Sequence, residues 1–171
     1  MNTLIAGSSA YQTRIGQPCV VTIGNFDGVH LGHQQLLSRT IKEAKAKGIL
    51  SCVYTFEPPP RTLLAPQLQT PRIHTWQEKV ETLLQFGVDC VVVEEFSLTF
   101  AGYSPKWFAR EILHNRLTAQ SVVVGYDFRY GKARGGTVET LRNSLPDLNV
   151  LQVSALQENS EVVSSSRIRT L

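Results

Sequence analysis

A glycine-rich stretch with two histidines is the strongest chemical signal in the sequence. It reads Thr22-Ile23-Gly24-Asn25-Phe26-Asp27-Gly28-Val29-His30-Leu31-Gly32-His33. Gly24 and Gly28 let the backbone turn tightly and approach a phosphate, and the N–H groups at a helix start attract anions. His30 and His33 are about one helical turn apart, so both imidazoles can face one pocket, where Gly32 leaves room for a nucleotide. The pattern predicts a nucleotide-phosphate site rather than a turn with two surface histidines.

A second loop combines aromatic rings with positive charge. It reads Val124-Gly125-Tyr126-Asp127-Phe128-Arg129-Tyr130-Gly131-Lys132-Ala133-Arg134-Gly135-Gly136. Phe128 and Tyr130 offer ring faces, and Asp127 offers a hydrogen-bond acceptor. Positive charge for a phosphate comes from Arg129, Lys132 and Arg134. We therefore interpret the loop as a second ligand-binding segment, the alternative being a surface loop that its rings merely anchor.

Several other segments carry weaker signals. The segment near the carboxyl terminus reads Ser164-Ser165-Ser166-Arg167-Ile168-Arg169. Its hydroxyl and guanidinium groups could hold a polyphosphate, and the alternative is an ordinary polar tail. The proline-rich residues 57–72 predict an extended loop or flap. Glu94 and Glu95 flank a predicted strand and are expected to be solvated. Trp107 is interpreted as a packing residue on a helix.

Short apolar runs alternate with segments of helical period along the chain. The runs predict buried parallel strands at residues 19–23, 50–56, 90–93, 121–124 and 149–153. Helices are predicted over residues 31–47, from the capping pattern Thr75/Glu78, from Ser104-Pro105, and over residues 137–145. The alternation predicts an α/β fold, with a doubly wound, mostly parallel sheet flanked by helices. Ligands bind such sheets at the carboxyl ends of strands, where both glycine-rich loops are expected.

The composition fits one compact domain over residues 1–171. With 42% hydrophobic and 18% charged residues, the chain can bury a substantial core. Its net charge of +3 comes from scattered lysines and arginines, which gives no support to binding of nucleic acid or of a membrane surface. The three cysteines are far apart, so neither a disulfide framework nor a metal site is expected. No stretch reaches the roughly 18 apolar residues of a membrane span, and we expect a cytoplasmic protein.

The motifs resemble one known family. His30-Leu31-Gly32-His33 resembles the H-x-G-H motif of the nucleotidyltransferase superfamily, and residues 24–33 as a whole resemble the bacterial FAD synthetases. In that family the FMN adenylyltransferase is usually the N-terminal module of a bifunctional enzyme with riboflavin kinase. The second loop is similar to the family's G-x-D-F-x-F-G element, with Tyr130 replacing the second phenylalanine. The carboxyl-terminal segment resembles I-S-S-T-x-I-R, with Ser166 at the threonine position and Arg169 at the last arginine.

The resemblance covers residues 20–169 and implies a reaction. AMP is transferred from ATP to FMN by direct in-line attack, giving FAD and pyrophosphate, with Mg²⁺ bound to the ATP. The catalytic residues it implies are His30, His33, Ser166 and Arg169. The ATP-binding residues it implies are Gly24, Asn25, Phe26, Asp27, Gly28, His30, Gly32, His33, Ser165, Ser166 and Arg169. The FMN-binding residues are Phe56, Pro58, Gly125, Asp127, Phe128 and Tyr130.

The departures from the family keep two alternatives open. Pro59 stands where the family's T-F-x-P-H-P flap has a histidine, and the chain ends at Leu171, directly after the third motif. We therefore predict no kinase activity, and a natural single-domain enzyme and an excised module that lacks a C-terminal riboflavin kinase domain are both open. One alternative function is nucleotidyl transfer to another phosphate acceptor, such as phosphopantetheine or glycerol phosphate. The other is a flavin-nucleotide binding module without turnover.

Overall fold

A computed structural model describes residues 3–6, 16–65, 75–154, 157–158 and 161–162 of the chain. The carboxyl-terminal segment 164–169 and residues 66–72 of the predicted flap lie outside these ranges. Within the described part the flap is not simply extended: residue 57 ends a strand, and Pro60–Leu64 form a short helix that follows Pro59.

A parallel sheet of six strands forms the centre of the molecule. Its strands are β1 (Thr3–Ala6), β2 (Cys19–Ile23), β3 (Leu50–Glu57), β4 (Cys90–Glu95), β5 (Ala119–Gly125) and β6 (Asn149–Val153). They lie in the order β1-β4-β3-β2-β5-β6, and every neighbouring pair is parallel. Two short strands, β7 (Gln157–Glu158) and β8 (Glu161–Val162), pair separately and antiparallel. The predicted fold class and five predicted strands are confirmed, whereas β1 was missed because a four-residue edge strand has too little pattern to detect.

Helices cover both faces of the sheet. They are α1 (Leu31–Lys47), α2 (Pro60–Leu64), α3 (Trp76–Phe86), α4 (Leu98–Ala101), α5 (Pro105–Trp107) and α6 (Val138–Ser144). α1 has its predicted bounds and ends at Gly48, whose φ of 67° is left-handed. Threonine hydroxyls cap α3 and α6, at Thr75 and Thr137. The helix predicted from Ser104-Pro105 differs, because residues Phe108–Arg116 continue it as a π-helix, in which Leu117 N–H donates to the carbonyl of Ile112.

Alternate strand residues divide the core between the two faces. Val53 and Val91 pack with Leu37 of α1 and Leu83 of α3 on one face. The residues on either side of them in the strands, Cys52, Tyr54, Cys90 and Val92, belong to the core of the other face, together with residues of the π-helix and α6. All three cysteines are free and buried.

The strand order reverses between β2 and β5. From β2 the chain builds outward through β3 and β4, then returns to place β5 on the other side of β2. Ligands of doubly wound sheets bind at this switch point, in the crevice at the carboxyl ends of the strands. The two glycine-rich loops follow β2 and β5, so the fold brings them together at the crevice.

Candidate active site

The first loop folds back on itself before α1. Phe26, Gly28 and Val29 have left-handed φ values of 54°, 80° and 39°. Such values are strained for a β-branched residue like Val29, so the surrounding packing must hold this conformation. The side chains of Phe26 and Asp27 are buried, at 0% and 4% exposure, and the Phe26 ring lies 5.0 Å from the His33 ring. Phe26 and Asp27 therefore stabilise the loop conformation through buried side chains.

The two histidines lie together at the start of α1. Their rings are stacked, with centroids 3.7 Å apart and planes 20° from parallel. His30 Nδ1 accepts hydrogen bonds from the backbone N–H groups of Gly32, at 3.0 Å, and of His33, at 3.3 Å. An accepting Nδ1 leaves the proton of a neutral imidazole on Nε2, so His30 can donate from that atom.

This capping role corrects one expectation from the sequence. The first N–H groups of α1 were expected to be free for an anion, but those of Gly32 and His33 are already bound by His30. Phosphate recognition at this helix start therefore falls to the imidazoles and the loop more than to these two amides.

A cleft with a volume of about 410 Å³ lies beside the first loop. Ile23, Gly24 and Asn25 line it where β2 ends. Eight aromatic residues form much of the rest of its wall: Phe56, Phe96, Phe100, Tyr103, Trp107, Phe108, Phe128 and Tyr130. Arg129 and Arg134 of the second loop also line it. A largely aromatic cleft with a few charged groups suits a flat aromatic ligand that carries negative charge.

The rings of this aromatic cleft are held in defined pairs. Tyr103 and Trp107 stack at 3.9 Å, with planes 18° apart. Phe128 and Tyr130 lie parallel within 17° at 5.5 Å. Ring pairs of this kind lose little freedom when a ligand binds, so the cleft is largely preformed.

The structure brings some of the predicted site residues together. Gly24, Asn25, Phe56, Phe128 and Tyr130 all line the aromatic cleft. Its lining does not include Pro58, Gly125 or Asp127, and the Asp127 side chain is exposed. Ser165, Ser166 and Arg169 lie outside the described residues. The ligand contacts of all these residues remain predictions.

Sequence reasoning did not assign five of the eight aromatic wall residues to the site. Trp107 was interpreted as a packing residue, but it lines the cleft. Phe108 was expected only on the helix that begins at Ser104-Pro105, and three further wall residues were not considered: Phe96, Phe100 and Tyr103. The density of aromatic residues between positions 96 and 108 was the available signal.

Gly136 lies directly beneath the Tyr130 ring. A Cβ atom added at Gly136 would stand 2.6 Å from the nearest atoms of that ring. The ring has little room to move, because Tyr130 is 6% exposed and its hydroxyl hydrogen-bonds to Thr140.

We expect Gly136→Ala to push the Tyr130 ring out of place. It should lower the free energy of unfolding by about 1–3 kcal/mol, the usual cost of overpacking, and weaken flavin binding. Urea unfolding and titration with FMN measure the two effects. Gly102→Ala is the control, because Gly102 has an ordinary φ of −85° and the nearest atom to its added Cβ is 3.4 Å away. Unchanged FMN affinity in Gly136→Ala would contradict the prediction.

A buried carboxyl group lies beneath the cleft. Glu94 was expected to be solvated, but it belongs to β4, is 3% exposed and accepts a hydrogen bond from the Tyr54 hydroxyl at 2.8 Å. Tyr54 in turn packs edge-on against Phe56 and Phe108 of the cleft wall. Burial raises the pKa of Glu94, although the Tyr54 hydrogen bond and the positive charge of Arg116 oppose the shift. Burial also raises the pKa of Tyr54.

Glu94→Gln is expected to stabilise the protein at neutral pH. A carboxyl whose pKa is raised by folding favours the folded state while it is protonated, and that contribution is lost as the pH rises through the folded pKa. Glutamine keeps the oxygen acceptor for Tyr54 and carries no charge. The free energy of unfolding gained by the variant should therefore be larger at pH 7 than at pH 4. A gain that does not depend on pH, or a loss at pH 7, would overturn this expectation.

Neither a metal cluster nor a membrane span occurs in the described part of the chain. No group of three or more His, Cys, Asp or Glu residues there could hold a metal ion. None of the helices in these ranges has the length and apolar character needed to cross a membrane.

The fold and the site together define an α/β protein with an aromatic cleft at the switch point of a parallel sheet. The chain belongs to the FAD synthetase family, whose sequence profile matches residues 12–167. The family that the motifs resembled is thereby confirmed.

Curated relatives agree with this assignment. A bifunctional riboflavin kinase/FMN adenylyltransferase of Buchnera aphidicola is 34% identical over 159 residues, which cover 91% of this chain and 51% of that protein. The Bacillus subtilis protein of the same name is 35% identical over 88% of this chain and 48% of its own length. The chain thus spans about half the length of these relatives. A putative bifunctional enzyme of Geobacillus thermodenitrificans is 37% identical, with 89% of this chain and 81% of that protein covered.

Two solved structures share the fold. One, described as a macrolide-efflux protein from Streptococcus pneumoniae, has a TM-score of 0.84 and 29% identity, over 98% of this chain and 55% of that one. A pantoate–β-alanine ligase from Francisella tularensis has a TM-score of 0.59 and 16% identity, over 99% of this chain and 74% of the ligase. The second likeness concerns the fold alone.

Proposed function

We propose that this chain transfers AMP from ATP to FMN, forming FAD and releasing pyrophosphate. The observation that carries the proposal is the aromatic cleft ending at the loop that leads into the stacked histidines. The proposal assigns the flavin ring to the space among the aromatic residues and a nucleotide phosphate to the position beside the imidazoles. The relatives named FMN adenylyltransferase support the same reaction.

The proposed chemistry is one in-line displacement. A phosphate oxygen of FMN attacks the α-phosphorus of ATP, the bond from that phosphorus to the bridging oxygen breaks, and its electron pair leaves with pyrophosphate. The nucleophile is already an anion, so no side chain has to remove a proton. Catalysis then consists of positioning two anionic substrates and stabilising the charge that develops on the phosphates. His30 donates from Nε2 to a phosphate oxygen, and His33 acts beside it.

The remaining roles follow from position and charge. Phe56, Phe128 and Tyr130 hold the flavin ring, and Trp107 joins them. The positive charge for the FMN phosphate comes from Arg129 and Arg134, which line the aromatic cleft. Roles at the edge of the flavin site are assigned to Pro58, Gly125 and Asp127, and the triphosphate is assigned to Ser165, Ser166 and Arg169.

The metal and the setting of the reaction belong to the same proposal. The described residues offer no ligand cluster for Mg²⁺. We therefore propose that the ion binds with the triphosphate of ATP, and we assign no residue of this chain as its ligand. We propose that the chain acts as an adenylyltransferase unit in the cytoplasm, and that any riboflavin kinase activity resides in a separate C-terminal domain.

Product analysis tests the proposal. Purified protein with FMN, ATP and Mg²⁺ should yield FAD and pyrophosphate in equal amounts, resolved by liquid chromatography. Replacement of FMN by riboflavin should yield no FMN, because the proposal assigns no kinase activity to this unit. Turnover only with phosphopantetheine or glycerol phosphate would establish a different acceptor, and FMN binding without product would establish a binding module. Either outcome would overturn the proposed reaction.

A further inference from the structure

A lysine side chain is buried behind the candidate active site. Lys79 lies in α3, and only 1% of its surface is exposed. Its ammonium group donates to the Asn25 carbonyl at 2.9 Å, to the Thr55 hydroxyl at 3.1 Å and to the Phe56 carbonyl at 3.4 Å. These three acceptors belong to two separate segments, the first loop and the end of β3.

The acceptors place Lys79 between the two halves of the site. Asn25 precedes the strained turn at Phe26 and lines the aromatic cleft, and Phe56 forms part of the cleft wall. The Thr55 hydroxyl also donates to the Asn25 carbonyl, at 3.2 Å. One ammonium group thus joins the loop that leads into His30 to the wall of the proposed flavin site.

Stability alone is a poor reason for a lysine here. Removing an ammonium group from water is costly, and apolar residues of similar size often replace buried charged groups without loss of stability. A methionine would fill the space, but it could not hold a carbonyl group in place. The loop needs such a restraint, because its left-handed residues are held only by their surroundings.

We propose that Lys79 is a positioning residue: through the Asn25 carbonyl it fixes the loop before His30 at a set distance from the Phe56 wall. This inference rests on the proposed function, because its kinetic consequence is the alignment of ATP with FMN. The role assigned to Lys79 runs through these protein contacts and involves no direct bond to a substrate. Removal of Lys79 should change the geometry of the site more than the stability of the fold.

Lys79→Met is the direct test. We expect kcat for FAD formation, per folded molecule, to fall about fivefold to tenfold, since even small misplacements of reacting groups are costly. We expect KM for ATP and KM for FMN both to rise, because Asn25 belongs to the loop assigned to ATP and Phe56 forms part of the proposed flavin wall. A purely structural lysine would lower the folded fraction and leave kcat per folded molecule unchanged.

Ser51→Ala is the matched control. Ser51 is 2% exposed, and its hydroxyl bonds to Asp89 at 3.1 Å. It lies near the start of β3, at the amino ends of the parallel strands, whereas the site lies at their carboxyl ends. The control loses buried hydrogen bonds without touching the loop, so it should reduce stability and keep kcat.

Thr55→Val keeps the inference testable if Lys79→Met does not fold. Valine has nearly the same shape as threonine and removes one partner of the ammonium group together with the bond to Asn25. A smaller fall in kcat is expected, in the same direction.

Amide hydrogen exchange separates this inference from the proposed reaction. Residues 24–33 should lose protection in Lys79→Met and in Thr55→Val, but not in Ser51→Ala. This result would support the positioning role even if the wild-type protein made no FAD. Equal loss of loop protection in Lys79→Met and Ser51→Ala, or unchanged protection with unchanged kcat, would overturn it.

Discussion

Replacing His33 with alanine is expected to lower kcat/KM for FAD formation about a hundredfold to a thousandfold, the usual effect of losing one donor to a developing negative charge. The His33 ring is stacked on His30 at the start of α1, beside the loop that borders the aromatic cleft. Its loss removes the proposed donor and the ring stacked on His30, whereas the backbone N–H groups of Gly32 and His33 still hold His30 Nδ1. Steady-state kinetics with FMN and ATP measure the effect.

Stability should change much less than turnover in this variant. The His33 ring lies against His30 and Phe26, so some packing is lost, but the hydrophobic core remains intact. His114→Ala is the matched control, because His114 is exposed on the π-helix away from the site. Parallel losses of activity and folded fraction in His33→Ala would make His33 a structural residue.

Phe128→Ala is expected to weaken FMN binding about twentyfold, within the range of about 1–3 kcal/mol found for stacking of a base on an aromatic side chain. Phe128 lines the cleft, and its ring is stacked nearly parallel on that of Tyr130, which fixes its orientation. Removal of the Phe128 ring takes away one aromatic face, while Tyr130 stays held by burial and by its hydroxyl bond to Thr140. Quenching of flavin fluorescence gives the dissociation constant.

Tyr126 provides the control for this loop. It is 50% exposed, lies two residues before Phe128 and does not line the aromatic cleft. Tyr126→Ala should bind FMN as the wild type does, and KM for ATP should be unchanged in both variants. Equal weakening by the two substitutions would show that the loop acts as a whole and that the Phe128 ring is not a stacking surface.

The fold was largely predictable because its signals are local and repeated. The bounds of β2, β6 and α1 were predicted correctly, since buried strands and one amphipathic helix each carry a continuous pattern. The meeting of the two glycine-rich loops also followed from the sequence, because parallel strands share a carboxyl edge. β1 and the π-helix could not be predicted: the first is too short, and the second differs from an α-helix only in its hydrogen bonding.

The site was less predictable because its key contacts join distant segments. Lys79 follows Glu78 in a helix, and a charged pair at such positions normally indicates a solvated face. Its burial depends on carbonyl groups from another loop and from the end of β3, which no local pattern records. The capping role of His30 is similar, since its spacing from His33 does not say which ring atom faces the backbone.

The fate of labelled phosphorus tests the central claim most directly. The claim is that an FMN phosphate attacks the α-phosphorus of ATP at this site. ATP labelled at the α-phosphorus should place its label in the flavin product, and ATP labelled at the γ-phosphorus should place it in pyrophosphate. Flavin that carries the γ-label, or an α-label that never reaches flavin, would contradict the account.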